Sequence, residues 1–380
     1  MPLGPRMRSC IYICIVSCQV LLIYHTNVDR IQSKSKSNMM DDAPNQMLKK
    51  TDKFRSQFTM DNINNSIGQT MCKPVTKFGY LKTHKCGSTT IQNILLRYVV
   101  KHGLNVVLPE NGEKYVSVLE IICVNFKFLH DFLQGPFVDL SPDPKLWRRR
   151  PILRPGQNYS VFCLHTMWDH DHVKELIGDQ GRGAKYFSIV RDPVDVFISK
   201  WDYYGFSKAF KMDLETFATN KSISFREKKK NKKEVKLGMM LDDFFGLPEG
   251  NLYNKSAVVA KIAQIDADFD LIMVMERFDE SLVLLRELLC WDWGDMTYFK
   301  KNSWQDTRRS ALSQEGRARL KEWLWGDYLL YDHFKKRFDE TIRKYNDNME
   351  WDLEKLRTLN LNIESQCVKV GIYYIDNDCR

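Results

Sequence analysis

Three groups of residues in this chain have the types and spacing to hold an anion and move a proton. The first is Lys82-Thr83-His84-Lys85-Cys86-Gly87-Ser88-Thr89-Thr90. A short apolar run, Phe78 to Leu81, precedes it, and Ile91, Ile94, Leu95, Tyr98 and Val99 follow at the spacing of one helical face. Strand, small-residue loop and helix N-terminus together make an anion cradle, because free backbone N–H groups and the helix dipole converge at the turn. Lys82 and Lys85 add charge, and Ser88, Thr89 and Thr90 add hydroxyl donors. The plain alternative is an ordinary helix start with two surface lysines. A Walker A loop is excluded, since its lysine follows the second glycine, whereas Lys85 precedes the only glycine, Gly87.

The other two groups stand at the ends of further apolar runs. Val161 to Leu164 ends at His165, and Tyr186 to Val190 ends at Arg191-Asp192-Pro193. Proline at a first helical position starts a helix there, with Val194, Phe197, Ile198 and Trp201 as its buried face. A helix near His172 to Gly178 lies between them, and Phe269 to Glu276 reads as one more strand. The helix after that strand, Phe278 to Trp291, has Asp279 or Ser281 near its N-cap. The segment from Ser310 to about Leu356 is helical in pattern, broken at Gly326, with Trp323, Leu324, Leu330, Phe334 and Phe338 facing the sheet. Strands that end in polar residues and feed helices predict an α/β fold with a central parallel sheet, whose ligands sit at the strands' carboxyl ends. Three such ends deliver His84 with Lys85, His165, and Arg191.

Composition sets the surroundings. Of 380 residues, 43% are hydrophobic and 12% aromatic, enough for a sizeable core. Fifty-seven Lys and Arg against 48 Asp and Glu leave a net charge of +9, which favours anionic ligands or membrane surfaces. No nucleic-acid-binding signature accompanies the charge. Ser9 to Tyr24 is an uncharged, mostly apolar run behind Arg6 and Arg8, without a small-residue cleavage pattern. A signal-anchor at residues 9–25 is therefore expected, with a cytosolic tail at 1–8, a flexible lumenal stem at 26–73 and the catalytic domain at 74–380. Ten cysteines, none in a CxxC pair, make a zinc site unlooked for. Sequons at Asn64, Asn158, Asn220 and Asn254 agree with a lumenal domain. The arginines Arg148 to Arg150, in a proline-dense stretch from Gly135 to Pro155, and the lysine-rich run Arg226 to Glu234 read as solvated loops.

In order along the chain, Leu81-Lys82-Thr83-His84-Lys85 with its Ser/Thr continuation, Val190-Arg191-Asp192-Pro193, and Phe278 through Leu285 to Cys290-Trp291 resemble the galactose-3-O-sulfotransferase family. The resemblance implies the P-loop-type three-layer fold of sulfotransferases and the donor 3′-phosphoadenosine 5′-phosphosulfate, with no metal. It assigns the 5′-phosphosulfate end to Lys82, Thr83, Lys85 and the stretch Cys86, Gly87, Ser88, Thr89 and Thr90. It pairs Arg191 with Ser199 on the 3′-phosphate, a sensible use of a rigid guanidinium fork. It also implies a Golgi membrane protein acting on the 3-hydroxyl of a terminal β-galactose, on a glycolipid such as galactosylceramide or on a glycoprotein glycan. Trp168, Trp201, Tyr203 and Tyr204 are candidate sugar-stacking aromatics, with Trp201 also fitting the core. Cys86 stands where threonine is usual in the family.

Sulfuryl transfer to a hydroxyl needs a base, an in-line nucleophile and charge stabilisation. Histidine is the natural base near neutral pH. His84 and His165 stand equal in that role, with Lys85 stabilising the bridging oxygen. Rival readings are a small-molecule kinase, a sulfotransferase of another glycan and a non-catalytic membrane-anchored glycan-binding relative. Homodimer formation is left open.

Overall fold

Four short parallel strands carry the rest of the molecule, in the order β4-β1-β5-β6. They are β1 (Phe78–Leu81), β4 (Val161–Phe162), β5 (Lys185–Val190) and β6 (Leu271–Val274). The computed structural model describes residues 72–109, 151–152, 158–181, 183–220, 240–298, 310–345 and 348–369. The expected anchor, nearly all of the stem, the arginines 148–150 and the run 226–234 lie outside these. Among the described residues no helix is long and apolar enough to cross a membrane.

The strands are nearly all apolar because both faces of the sheet are covered, the usual condition of parallel sheets. Every residue of β1 and β6 is buried, and in β5 only Lys185 is not. Register places Phe78 beside both Val161 and Lys185, Leu81 beside Ser188, and Val190 beside Val274. Each strand then feeds a helix, as the alternation of patterns predicts: α1 (Ser88–Lys101) after β1, α2 (His170–Leu176) after β4, and α3 (Pro193–Tyr204) after β5. Pro193 occupies the start of α3, and the Asp192 carboxylate caps it by accepting from Asp195 N at 3.1 Å. Short helices α4 (Phe206–Phe210), α5 (Leu214–Thr219) and α6 (Met240–Asp243) follow, then α7 (Lys255–Asp268) leads into β6. The remaining helices are α8 (Phe278–Leu289), α9 (Gln314–Trp323), α10 (Trp325–Lys344) and α11 (Met349–Lys369). Of the proline-dense stretch, Pro151–Ile152 is described and pairs antiparallel, as β3, with β2 (Leu108–Pro109). A loop was expected there. Prolines are tolerated in so short a ladder because edge positions need fewer N–H donors.

Two further expectations are refined. Asp279 lies in the first turn of α8, near its N-cap as expected, but neither it nor Ser281 caps the helix; the N-cap is Arg277, without a side-chain cap bond. A tight 3-10 turn, Met275–Arg277, runs straight from β6 into the helix. Ser281 instead grips the strand end: its hydroxyl donates to Val274 O at 3.0 Å and accepts from Val274 N at 3.1 Å. The C-terminal helical stretch breaks at Leu324, not at Gly326, which lies inside α10. Gly326 is small because a Cβ there would stand 3.3 Å from Leu241 Cδ1. Leu324, Leu330, Phe334 and Phe338 are buried as expected.

Gly79, inside β1, is closely covered from the neighbouring elements. A Cβ would meet Tyr186 Cδ1 at 2.7 Å and Val173 Cγ1 at 3.0 Å. The Tyr186 ring cannot easily yield, since its hydroxyl donates to Asp179 at 2.8 Å. Gly79→Ala is therefore expected to destabilise the fold by about 1–3 kcal/mol. Gly250→Ala, where a Cβ meets nothing within 4 Å, should stay within about 0.5 kcal/mol of the parent. Urea unfolding of both variants checks the difference.

Candidate active site

β1 lies between β4 and β5, so the residues that follow these three strands emerge side by side. The turn after β1 is stitched down by its own hydroxyls. Thr83 Oγ1 donates to Ile189 O at 2.6 Å, the Ser88 hydroxyl donates to Thr83 O, and Ser188 Oγ donates to Leu81 O at 2.9 Å. Arg191 Nη1 donates to Lys85 O at 3.1 Å, and the Cys86 thiol donates to His84 O at 3.3 Å. Carbonyls of the turn are thus consumed by side chains. Lys85 and Gly87 are left-handed, with φ of 63° and 70°. Such turns line up successive N–H groups into an anion-binding concavity. Gly87 holds a φ of 70°, a region that favours glycine, and a Cβ there would also meet Met275 Sδ at 2.5 Å. The helix that follows has no side-chain cap and no acidic residue in its first turn. By contrast Asp169, Asp192, Asp213, Asn254 and Ser313 cap α2, α3, α5, α7 and α9.

The two histidines meet. His84 and His165 stack with ring centroids 3.9 Å apart and planes 12° from parallel. His165 Nδ1 lies 2.6 Å from Lys82 O. A carbonyl only accepts, so Nδ1 carries the proton and neutral His165 keeps its lone pair on Nε2. Burial holds the His165 imidazole well below its usual range, and the neighbouring His84 and Lys82 push the same way. His84 is pushed down to about 3, by burial first and then by Lys200, Lys82 and Lys85. Both rings are neutral at physiological pH, the form that accepts a proton.

The cations divide by exposure. Lys82 is 1% exposed, its Nζ has no hydrogen-bond partner among the described residues, and burial lowers it to about 7. Lys85 is half-buried and held over the Tyr203 ring, Nζ 4.0 Å from the centroid. Burial and then Arg191 lower its affinity for a proton. Arg191 is steadied by Asp195, 3.8 Å from Nη2. Ser199 stands one turn beyond Asp195 on the same helical face, partly buried. Thr89 and Thr90, partly exposed, open α1, whereas the hydroxyls of Thr83 and Ser88 face inward and are satisfied by carbonyls.

Other expected residues go elsewhere. Trp168 is 5% exposed, donates from Nε1 to Asp268 at 3.2 Å and packs on Phe269, so it is core and not a sugar platform. Trp201 is fully buried. Sequence reasoning missed Lys200, which is 5% exposed, pairs with Asp243 at 3.0 Å and faces Phe244, itself 5.2 Å from the His84 ring. Nothing in its spacing separated it from the apolar face that it flanks.

Asp327, on α10, accepts from Met240 N at 2.8 Å and Leu241 N at 3.1 Å, and so fixes α6 beneath this cluster. Burial raises Asp327 from 3.8 to about 6. Burial, then Asp243 and Asp327, raise Asp242 from 3.8 to about 7. Both carboxyls bind protons more tightly folded than unfolded, so stability is full below the unfolded value and falls as pH rises through about 6 to 7. Asp242→Asn should make that fall shallower, as read by urea unfolding at a series of pH values. An unchanged slope would assign it to other groups.

The galactose-3-O-sulfotransferase family model matches residues 6–377. Galactose-3-O-sulfotransferase 2 of Sus scrofa is 28% identical over 310 residues, covering 80% of this chain and 72% of that protein. Galactosylceramide sulfotransferase of Mus musculus is 28% identical over 79% of this chain and 66% of its own length. Galactose-3-O-sulfotransferase 3 of Mus musculus is 31% identical over 76% of this chain and 62% of its own length. The match spans the anion-binding turn, the stacked histidines and the strand ends that present them, and the chain belongs to the galactose-3-O-sulfotransferase family.

Proposed function

We propose that this protein is a Golgi sulfotransferase that moves a sulfuryl group from 3′-phosphoadenosine 5′-phosphosulfate to the 3-hydroxyl of a terminal β-galactose. The observation that carries this is the stacked His84–His165 pair, one ring locked as the Nδ1–H tautomer, beside an uncapped helix start flanked by Lys85 and Arg191. Names of relatives support galactose and galactosylceramide as acceptors.

The residues fit a donor with two anionic ends. Left-handed turns at Lys85 and Gly87, the first-turn amides of α1 and the Lys85 ammonium suit its phosphosulfate end. Arg191 and Ser199 suit its 3′-phosphate. When bound, the donor supplies the sulfuryl group and leaves as the bisphosphate. A neutral imidazole, His84 or His165, takes the proton of the attacking hydroxyl. Cationic neighbours weaken that base, and an anion bound beside Lys85 offsets them, so base strength rises once the donor site is filled. The Lys85 ammonium faces the charge that develops as the bond to phosphate breaks. A three-layer sulfotransferase fold agrees with the central parallel sheet.

Disulfide-bonded Cys72 and Cys290 support an oxidising lumen, as do exposed sequon asparagines Asn158 and Asn254. The apolar run 9–25 supports a type II anchor in the Golgi membrane. A stem at 26–73 would then hold the catalytic domain off the bilayer.

Labelled-sulfate transfer to a panel of β-galactosides tests the activity, and no transfer to any of them would refute it. Adenosine 3′,5′-bisphosphate should raise the melting temperature where ATP does not. His84→Ala and His165→Ala are compared for turnover and for bisphosphate binding. The base variant should lose roughly 10²–10⁴-fold in turnover with donor affinity intact. Full activity in both would sink the histidine-base assignment.

A further inference from the structure

α3 ends in an exposed aromatic pair against the histidines. Tyr203 and Tyr204 are 37% and 46% exposed, where large apolar side chains in this molecule are mostly buried. The left-handed Gly205, φ 63°, stops α3 and turns the chain into α4. Phe206, the first residue of α4, then stacks on one face of Tyr204, with centroids 5.6 Å apart and planes 24° from parallel. Tyr203 braces Tyr204 edge-on at 5.0 Å and 83°. The Tyr204 ring stands 6.5 Å from the His84 ring at 72°. Lys85 Nζ occupies the face of Tyr203. Tyr204 is thus a braced, half-exposed aromatic plate next to the base and one neighbour away from the donor lysine.

We infer that Tyr204 is the acceptor subsite, a stacking plate for the galactose ring, and that it selects galactose over its C4 epimer. The inference rests on the sulfotransferase reading above. An aromatic face takes ligands that are apolar on one side and hydrogen-bonding at the rim, which describes a sugar. In β-galactose the axial 4-hydroxyl leaves the hydrogens of C3, C4 and C5 together on one face. Laid on Tyr204, that face puts the 3-hydroxyl at its edge, toward His84. In a β-glucoside the 4-hydroxyl is equatorial and the apolar face is less continuous, so the plate grips it less well. Tyr203 plays a different part: it positions Lys85 and braces the plate.

Steady-state kinetics on the full chain test this, with a β-galactoside and the matching β-glucoside as acceptors. Tyr204→Leu keeps apolar contact with Phe206 but removes the flat face. It should raise the galactoside KM by ~10-fold or more and reduce the preference over the glucoside, with donor KM within ~2-fold of the parent. Tyr204→Phe keeps the face and should retain the preference for the galactoside that Tyr204→Leu loses. A galactoside KM unchanged in Tyr204→Leu, or a donor KM that rises equally, overturns the subsite. Saturation-transfer NMR on the unaltered protein, loaded with adenosine 3′,5′-bisphosphate, needs no variant to fold. Strongest transfer to H3, H4 and H5 of the galactoside is expected; strongest transfer to H1 and H2 overturns the plate. An unaltered protein that transfers no sulfate refutes the function itself, whereas an active one with an indifferent Tyr204 refutes only the subsite.

Discussion

The hydrogen bond from His165 Nδ1 to the Lys82 carbonyl joins the ends of two adjacent strands, and the candidate site is arranged around it. It exists only because β4 pairs with β1 in parallel, with Lys82 N donating to Leu164 O at 3.2 Å just before it. That one bond sets the imidazole tautomer, flattens the ring against His84 and anchors the first residue of the anion-binding turn. Buried deeply, it works in a low dielectric where such a bond is stronger and its loss more costly. Everything upstream serves its geometry: the apolar strands that bring the two chain segments level, and the glycine at 79 that lets Tyr186 and Val173 close over β1.

Around this bond the molecule keeps an unusual amount of charge out of water. Lys82 and Lys200 are almost fully enclosed, and Asp327 and Asp242 are pushed toward neutrality by burial. Burial of this kind is unfavourable unless charges pair, as Lys200 does with Asp243. Such groupings recur where pKa values are tuned for chemistry. Here burial, reinforced by the cationic side, keeps the histidines neutral, while the acidic side joins α6, which carries Asp242 and Asp243, to Asp327 on α10.

Much of this was legible in the chain itself. Apolar runs ending in polar residues located all four strands, because buried parallel strands carry so little polar interruption that their ends stand out. The loop before α1 could be read for the same reason: Lys-x-His-Lys followed by hydroxyls has few structural uses. Capping was harder. Asp279 and Ser281 look like caps, yet a 3-10 turn set by Ser281 on Val274 decides where α8 begins. Gly326 looks like a helix breaker, yet tight packing against Leu241 is what calls for it. Lys200 and the acidic pair at Asp242 and Asp243 were invisible, since nothing local distinguishes a buried charge from a surface one until its tertiary partners are known. Tyr204 differed from Trp168 only in exposure, which no local pattern records.

Cys86 gives the donor loop a thiol, and its setting determines what that thiol can do. It is fully enclosed, donates to the His84 carbonyl, and is pushed up to about 11 chiefly by burial. At neutral pH almost none of it is thiolate, and the thiolate is the form that reacts with electrophiles and oxidants. The loop is consequently indifferent to the redox state of its compartment, although the same chain has disulfide-bonded cysteines elsewhere. Covalent reagents aimed at this cysteine would find neither access nor nucleophile, so ligands for the donor loop have to be built from shape and charge.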